Sequence, residues 1–386
     1  MNTQPGVEYV GDEACRTCHP DQYESFKKTG MGRSMSVPKP GGDGKEFAGP
    51  SAVRAERLSR VFESFARDGK VFHTGSQVDA TGKKIFSETH ELAYAVGSGD
   101  HGRSYLIVQG DSLFLSPLSF YTATGRWDLS PGVGTGVYRD FTRPATEVCV
   151  TCHSGLPQPV AGFANRYRQP AFRFLAIGCE RCHGPGQLHV ERPLEGRREA
   201  DGFNPSIVNP AKLPPRQRDD VCIQCHLLGD ARVLRPGKQN LDFRPGKMLD
   251  DVVSVFSVPP GQKGESFLTL GHVAQLQLSR CRTSGGERLA CITCHDPHSQ
   301  PRGDESVRFH RNRCLQCHTK KGCTLPLPGR QATSPADNCL SCHMPARSLA
   351  HIAHTALTDH RIPRRPSEGR ALSSLPEPPT GLIWET

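Results

Sequence analysis

Cys179-Glu-Arg-Cys182-His183-Gly-Pro-Gly-Gln-Leu-His189 is the stretch from which the fold follows. Two cysteines three positions apart share one face of a helical turn, and the histidine directly after the second sits on the same turn. Thiols so spaced can add to the two vinyl groups of one porphyrin, and the adjacent imidazole then donates to the iron beneath the ring. The Gly-Pro-Gly that follows allows a sharp bend around a porphyrin edge, which lets His189 leave this group and reach a neighbouring one.

The five-residue unit is not alone. It recurs as Cys15-Arg-Thr-Cys18-His19, Cys149-Val-Thr-Cys152-His153, Cys222-Ile-Gln-Cys225-His226, Cys291-Ile-Thr-Cys294-His295, Cys314-Leu-Gln-Cys317-His318 and Cys339-Leu-Ser-Cys342-His343. Seven units take up 14 of the 16 cysteines, and each is followed by His in a chain with only 17 histidines. A zinc ribbon needs four ligands from two units and has no use for a histidine directly after each pair. A redox dithiol would need one such motif in a βαβ setting. The reading is therefore seven covalently attached haem c groups, with His19, His153, His183, His226, His295, His318 and His343 as proximal iron ligands. Cys281 and Cys323 stand outside the motifs, as a disulfide or as free thiols.

Ten histidines remain for the far side of the irons. His298 lies three residues past His295 and is placed to serve a neighbour, like His189. His272 heads an amphipathic pattern, His351, His354 and His360 follow the last motif, and His101 sits in a tight Gly-rich turn. The distal candidates are His73, His101, His189, His272, His298, His354 and His360, with Met31 as a weak one. Only five methionines exist, so Met ligation is at most a minority case. Paired imidazoles would hold the irons at low potential.

Composition agrees with a core made of something other than aliphatic side chains. Only 35% of the residues are hydrophobic, and glycine and proline make up 71 of 386, about 18% where about 12% is usual. No apolar run is long enough to span a membrane. The opening Met1-Asn-Thr-Gln-Pro-Gly6 has no signal-peptide pattern, so a leader is expected to have been removed or missed. The formal charge of +9 would suit a polyanion, but each ferric haem with two propionates brings about −1, leaving about +2 oxidised and about −5 reduced. Nucleic acid is therefore not an expected partner.

Four segments are expected: residues 1–45 with the first motif, a β-rich haem-free insert over 46–145, a hexahaem region over 146–360 and a Pro-rich tail or linker over 361–386. Within the insert, runs rich in Val, Ile, Phe and Tyr bounded by Gly and Asp read as strands, with a hairpin over Asp100 to Tyr121 turning at Gln109-Gly110-Asp111. Helices are expected near Asp21 to Lys28, near Gly271 to Arg282 and at each motif; Pro157 to Pro159 reads as loop. Gly97-Ser-Gly99-Asp-His-Gly102 matches a dinucleotide-binding pattern, but a strand-like run follows where a helix would be needed.

With these motifs in place, the chain resembles the multihaem c-type cytochromes related to cytochrome c554, in particular the bacterial members often fused to tetratricopeptide repeats. The similarity is carried by Tyr9-Val-Gly-Asp-Glu-Ala-Cys15, Lys28-Thr-Gly-Met31-Gly-Arg-Ser-Met35, Gly97 to Leu106, Gly178 to Gly186, Arg244-Pro-Gly246, Cys291 to His298, Cys339 to Pro345 and Thr358-Asp-His360. It runs from about residue 9 to 363. The resemblance implies a mainly α fold with much irregular loop, wrapped around a chain of haems. It carries distal roles to His101, His189, His298 and His360 first, then to His73 and His272. Met31 stands where some such chains have a histidine, and helical repeats are not expected after the Pro-rich tail.

The expected function is electron carriage along mostly bis-His haems, in the periplasm or outside the cell, between donor and acceptor proteins. No catalytic residue is assigned. One alternative is a multihaem oxidoreductase with an open haem acting on a small nitrogen or sulfur compound. Another is a subunit of an extracellular cytochrome assembly, a homo-oligomer or filament.

Overall fold

The computed structural model of the chain describes residues 2–41, 45–133, 140–192, 204–227, 229, 231–256, 271–319, 322–333, 335–348 and 356–364. Among them 31% are helical and 26% lie in strands. The expectation of a mainly α fold is therefore corrected. Most helices are a turn or two that serve one motif, whereas the alternating runs between Met35 and Pro144 pair into two full sheets.

The strands of these sheets are β1 (Met35–Ser36), β2 (Ser51–Ala55), β3 (Arg60–Arg67), β4 (Lys70–Val78), β5 (Lys84–Glu91), β6 (Tyr94–Val96), β7 (Gly102–Gln109), β8 (Ser112–Tyr121), β9 (Arg126–Leu129) and β10 (Arg143–Pro144). One sheet has the order β2-β3-β4-β5 and the other β1-β6-β7-β8-β10, with β9 also on β8. Every pairing is antiparallel. Phe62 and Val71 of the first sheet meet Tyr105, Ile107, Leu118 and Trp127 of the second in one buried cluster. Each such side chain stabilises the pair by roughly 1.5–3 kcal/mol relative to exposure. Gly75 pairs with Phe62 across the strands, and a Cβ there would come 3.1 Å from the Phe141 ring. The dinucleotide-like Gly97 to Gly102 is the turn from β6 into β7, with no helix after it.

A second cluster joins the larger sheet to the motif-bearing part. Met35, Leu106 and Leu113 pack with Val150, Tyr167 and Phe172, and the Tyr167 hydroxyl donates to the Ala145 carbonyl at 2.6 Å. Tyr167 and Phe172 lie on β12 (Tyr167–Phe174), which pairs with β11 (Leu156–Pro159). Pro157 to Pro159, read from sequence as loop, is thus a strand. Its prolines are tolerated because the ribbon has only two strands and its register is interrupted by bulges. Two more ribbons follow, β13 (Ala231–Leu234) with β14 (Val253–Phe256) and β15 (Ala346–Ser348) with β16 (Ala356–Thr358).

The helices are α1 (Asp12–Arg16), α2 (Pro20–Phe26), α3 (Glu147–His153), α4 (Glu180–His183), α5 (Gln187–Glu191), α6 (Pro215–His226), α7 (His272–Gln277), α8 (Arg280–Gly285), α9 (Cys291–Cys294), α10 (Gly303–Leu315), α11 (Leu327–Gln331) and α12 (Cys339–His343). The longest has 13 residues. No helix among the described residues is long and apolar enough to cross a membrane.

Candidate haem-binding site

Each motif is built on a helical turn. In four of them the N–H of the histidine donates to the carbonyl of the first cysteine, as in His19 to Cys15 at 2.9 Å, His183 to Cys179 at 3.0 Å, His295 to Cys291 at 3.0 Å and His318 to Cys314 at 3.1 Å. Motifs two, four and seven lie within or end α3, α6 and α12. Both sulfurs and the imidazole therefore face one side. All sixteen cysteines are unpaired, Cys281 and Cys323 included. In a haem protein the fourteen motif thiols stand for thioether sulfurs, which carry no proton.

Motifs far apart in sequence are brought into contact. The sulfurs of Cys15 and Cys179, of Cys152 and Cys225, of Cys222 and Cys291, and of Cys314 and Cys339 lie close together. The first and third motifs are also tied by carboxylates. Asp12 accepts the Cys179 N–H at 2.8 Å, and the buried Glu180 accepts from the N–H groups of Val10, Gly11 and Gly186. Gly184, at φ +74°, makes the bend after His183, and a Cβ there would strike the Asn2 side chain.

The histidine rings pair across motifs. An imidazole nitrogen sits about 2.0–2.1 Å from a metal and roughly 1.1 Å from its ring centroid, so two imidazoles that shared one iron would have centroids roughly 6.3 Å apart. His19 and His189 are 6.4 Å apart with rings inclined by 13°; His183 and His298 are 6.0 Å apart at 14°; His295 and His360 are 6.3 Å apart at 25°. His226 and His272 are 6.4 Å apart at 63°. Thus His189 faces the first motif, where Met31 had been the weak candidate, and His298 faces the third.

Hydrogen bonds fix the imidazole tautomers these pairs need. The Nδ1–H groups of His183 and His360 donate to the carbonyls of Val208 and Thr358, both at 2.8 Å, and that of His343 donates to Pro363 at 2.9 Å. Ser206 donates to Asn204, so its oxygen accepts from His189 Nδ1 at 3.1 Å. Each bond leaves Nε2 with its lone pair for a metal. Burial lowers the basicity of His153, His183 and His226, and takes His272 and His295 down to about 4. All are neutral near pH 7, the form that ligates. Buried guanidinium nitrogens of Arg232, Arg244 and Arg330 have no hydrogen-bond partner. Such donors suit propionates, so the donor set fits haem.

The remaining candidates are placed differently. His73 is fully buried between the sheets, with Nδ1 2.6 Å from Ser116 Oγ and its ring walled by Tyr105 and Trp127. It is a core histidine, and the alternation of β4 puts it there. His101 is exposed on the turn before β7, its carbonyl accepting from Thr122, and makes no ring contact with a proximal histidine among the described residues. His354 lies outside the described residues, as does His351. His310, left unranked by sequence reasoning, is 5.8 Å from His295 at 75°. Its place on α10, one turn before Cys314, is the signal that could have found it.

Residues 137–184 match the family "Cytochrome c554 and c-prime". The dissimilatory sulfite reductase MccA of Wolinella succinogenes is 20% identical over 88% of this chain and 51% of its own length. The C-type polyheme cytochrome OmcC of Geobacter sulfurreducens is 24% identical over 58% of this chain and 32% of its own. The chain thus spans between a third and a half of these relatives. The solved structure of the outer cell wall cytochrome OcwA superposes with a TM-score of 0.55 at 19% identity, covering 95% of this chain and 82% of that one. Together with seven CxxCH turns and paired imidazoles, these findings identify the chain as a multihaem c-type cytochrome.

Proposed function

We propose that the chain carries seven covalently bound haems and passes electrons along them between donor and acceptor proteins outside the cytoplasm. The first motif lies in residues 1–45 and the other six in 146–360, with 46–145 a haem-free insert; the expected tail or linker over 361–386 lies outside the described residues from 365 on. His189, His298, His272 and His360 are the distal ligands of the first, third, fourth and fifth motifs. The observation that carries this is the set of ring pairs 6.0–6.4 Å apart, the spacing one iron between two imidazoles requires. Haem supplies the one-electron chemistry when bound. The chain's residues hold the sulfurs on one side, keep Nε2 of His183, His189, His343 and His360 unprotonated and offer single buried guanidinium nitrogens of Arg232, Arg244 and Arg330 to propionates.

Pyridine haemochrome analysis of the secreted protein should give seven haems per chain, and electron paramagnetic resonance should show low-spin ferric signals. A count near five would sink the assignment of all seven motifs. Similarity to a protein named as a sulfite reductase favours a second reading, an oxidoreductase with one open iron. Rapid binding of sulfite or cyanide, with a high-spin signal in the resting protein, would select it.

A further inference from the structure

Three motifs touch at one point. Arg181, between Cys179 and Cys182, is 7% exposed. Its Nη2 donates at 3.0 Å to the carbonyl of Thr151, between Cys149 and Cys152. Its own carbonyl accepts at 3.2 Å from Nε2 of Gln224, between Cys222 and Cys225. The Gln224 carbonyl in turn lies 4.0 Å from Cys152 Sγ, and the Arg181 guanidinium reaches the Cys225 sulfur. The spacer residues of motifs two, three and four therefore form a closed triangle around a buried cation.

Away from the triangle the thiol and helix contacts set the motifs in a file, with one further link, the His183–His298 pair, from motif three to the loop after motif five. Motif one joins motif three through Asp12 and the Cys15–Cys179 contact. Motif four joins motif five through Cys222 and Cys291. α9 packs on α10 and α10 on α12, which takes the file through motifs six and seven. Motif two is a side arm that touches the file only at the triangle among these contacts.

The charge at this branch is not cancelled by a carboxylate. Both Glu180 oxygens are committed to the N–H groups of Val10, Gly11 and Gly186, and no ion pair to Arg181 occurs among the described residues. A positive charge in a low-dielectric interior favours the reduced iron over the oxidised one, because the oxidised form carries one more positive charge. We propose that Arg181 sets the potential of the branch point, raising the haems of motifs two to four so that electrons collect where the side arm leaves the file. This rests on the haem assignment above.

The test uses the haem-loaded full chain in a spectroelectrochemical titration. Arg181→Gln and Arg181→Met should move a minority of the haem absorbance to lower potential and leave the rest superimposed on the wild type, while Arg181→Lys should restore the wild-type curve. Thr151 Oγ1 is buried without a hydrogen-bond partner, so Thr151→Asp supplies a counter-charge with Arg181 in place. It should lower the same fraction, and it serves where the neutral variants do not load haem. A fully loaded neutral variant or Thr151→Asp protein with an unshifted curve would overturn the proposal. So would a Lys variant shifted as far as the Gln variant. Failure of the underlying haem assignment shows separately, as a wild-type count below seven.

Discussion

His73 and His183 are the same side chain in opposite settings, and the difference lies in what each ring faces. Both have Nδ1 engaged, one with a serine hydroxyl and the other with a carbonyl. Across from His183 stands the nearly parallel ring of His298; the rings against His73 are those of Tyr105 and Trp127. Truncation separates the two roles. His189→Ala should turn one low-spin haem high-spin in the paramagnetic resonance spectrum, with the other signals and the haem count unchanged. His73→Gln should alter no haem signal and should change the acid limb of stability. Burial takes His73 down to about 3 from the ordinary histidine value near 6.5. As pH falls below about 6.5 the unfolded chain takes up this proton and the folded one does not. Stability is therefore full above about 6.5 and declines toward pH 3, by up to roughly 1.4 kcal/mol per pH unit. Urea unfolding followed by far-ultraviolet circular dichroism between pH 7 and 4 should show a shallower slope in His73→Gln. Equal slopes would remove His73 as the source.

At the scale of elements, what is local in sequence was legible and what is long-range was not. A CxxCH turn closes within five residues, so its helical form follows from spacing alone. The hairpin turning at Gln109-Gly110-Asp111 is β7 and β8, because runs rich in Val, Ile, Phe and Tyr stand on both sides of a turn signal. The overall share of strand was underestimated. Tyr167-Arg-Gln-Pro-Ala-Phe-Arg-Phe174 has a proline in its middle and is assigned no element from sequence, yet Tyr167, Ala171 and Phe172 are buried by the packing of β12 on the larger sheet. The histidine pairs are the hardest to read. His19 and His189 are 170 positions apart, and their meeting depends on Asp12 and Glu180 tying the first motif to the third. The two-sheet core makes its own prediction. Gly75→Val would place Cβ 3.1 Å from Phe141 and 3.2 Å from Phe62, costing about 1–3 kcal/mol in a well-packed core. The loss should appear in urea unfolding with all haems still attached; an unchanged midpoint would mean the sheets open there at no cost.

The whole molecule has its apolar side chains distributed unevenly, and this decides what haem must do. Eleven buried residues form the core between the two sheets. The cluster around Phe243 and Leu249 has four. Beyond Val253, Ala290 is the single buried apolar side chain among the described residues, although three of the seven motifs lie there. α10, the longest helix, buries none of its residues. A segment of that kind cannot offset its backbone entropy of roughly 1–2 kcal/mol per residue from side-chain burial; porphyrin faces must supply the missing surface. The sheets between Met35 and Pro144 are under no such constraint, having aromatic side chains on both inner faces and a hydrogen-bonded ladder throughout. Chain made without haem attachment should therefore be half-folded rather than unfolded. Limited proteolysis should leave a fragment close to residues 35–144 with a strand-type circular dichroism spectrum, and should degrade the sequence that carries motifs two to seven. The haem-loaded protein should resist under the same conditions across all seven motifs. Complete digestion of the haem-free chain would show that the sheets need the second cluster, at Val150, Tyr167 and Phe172, to stand. Full protection would show that the motifs fold on side-chain packing alone, against the burial pattern of their helices.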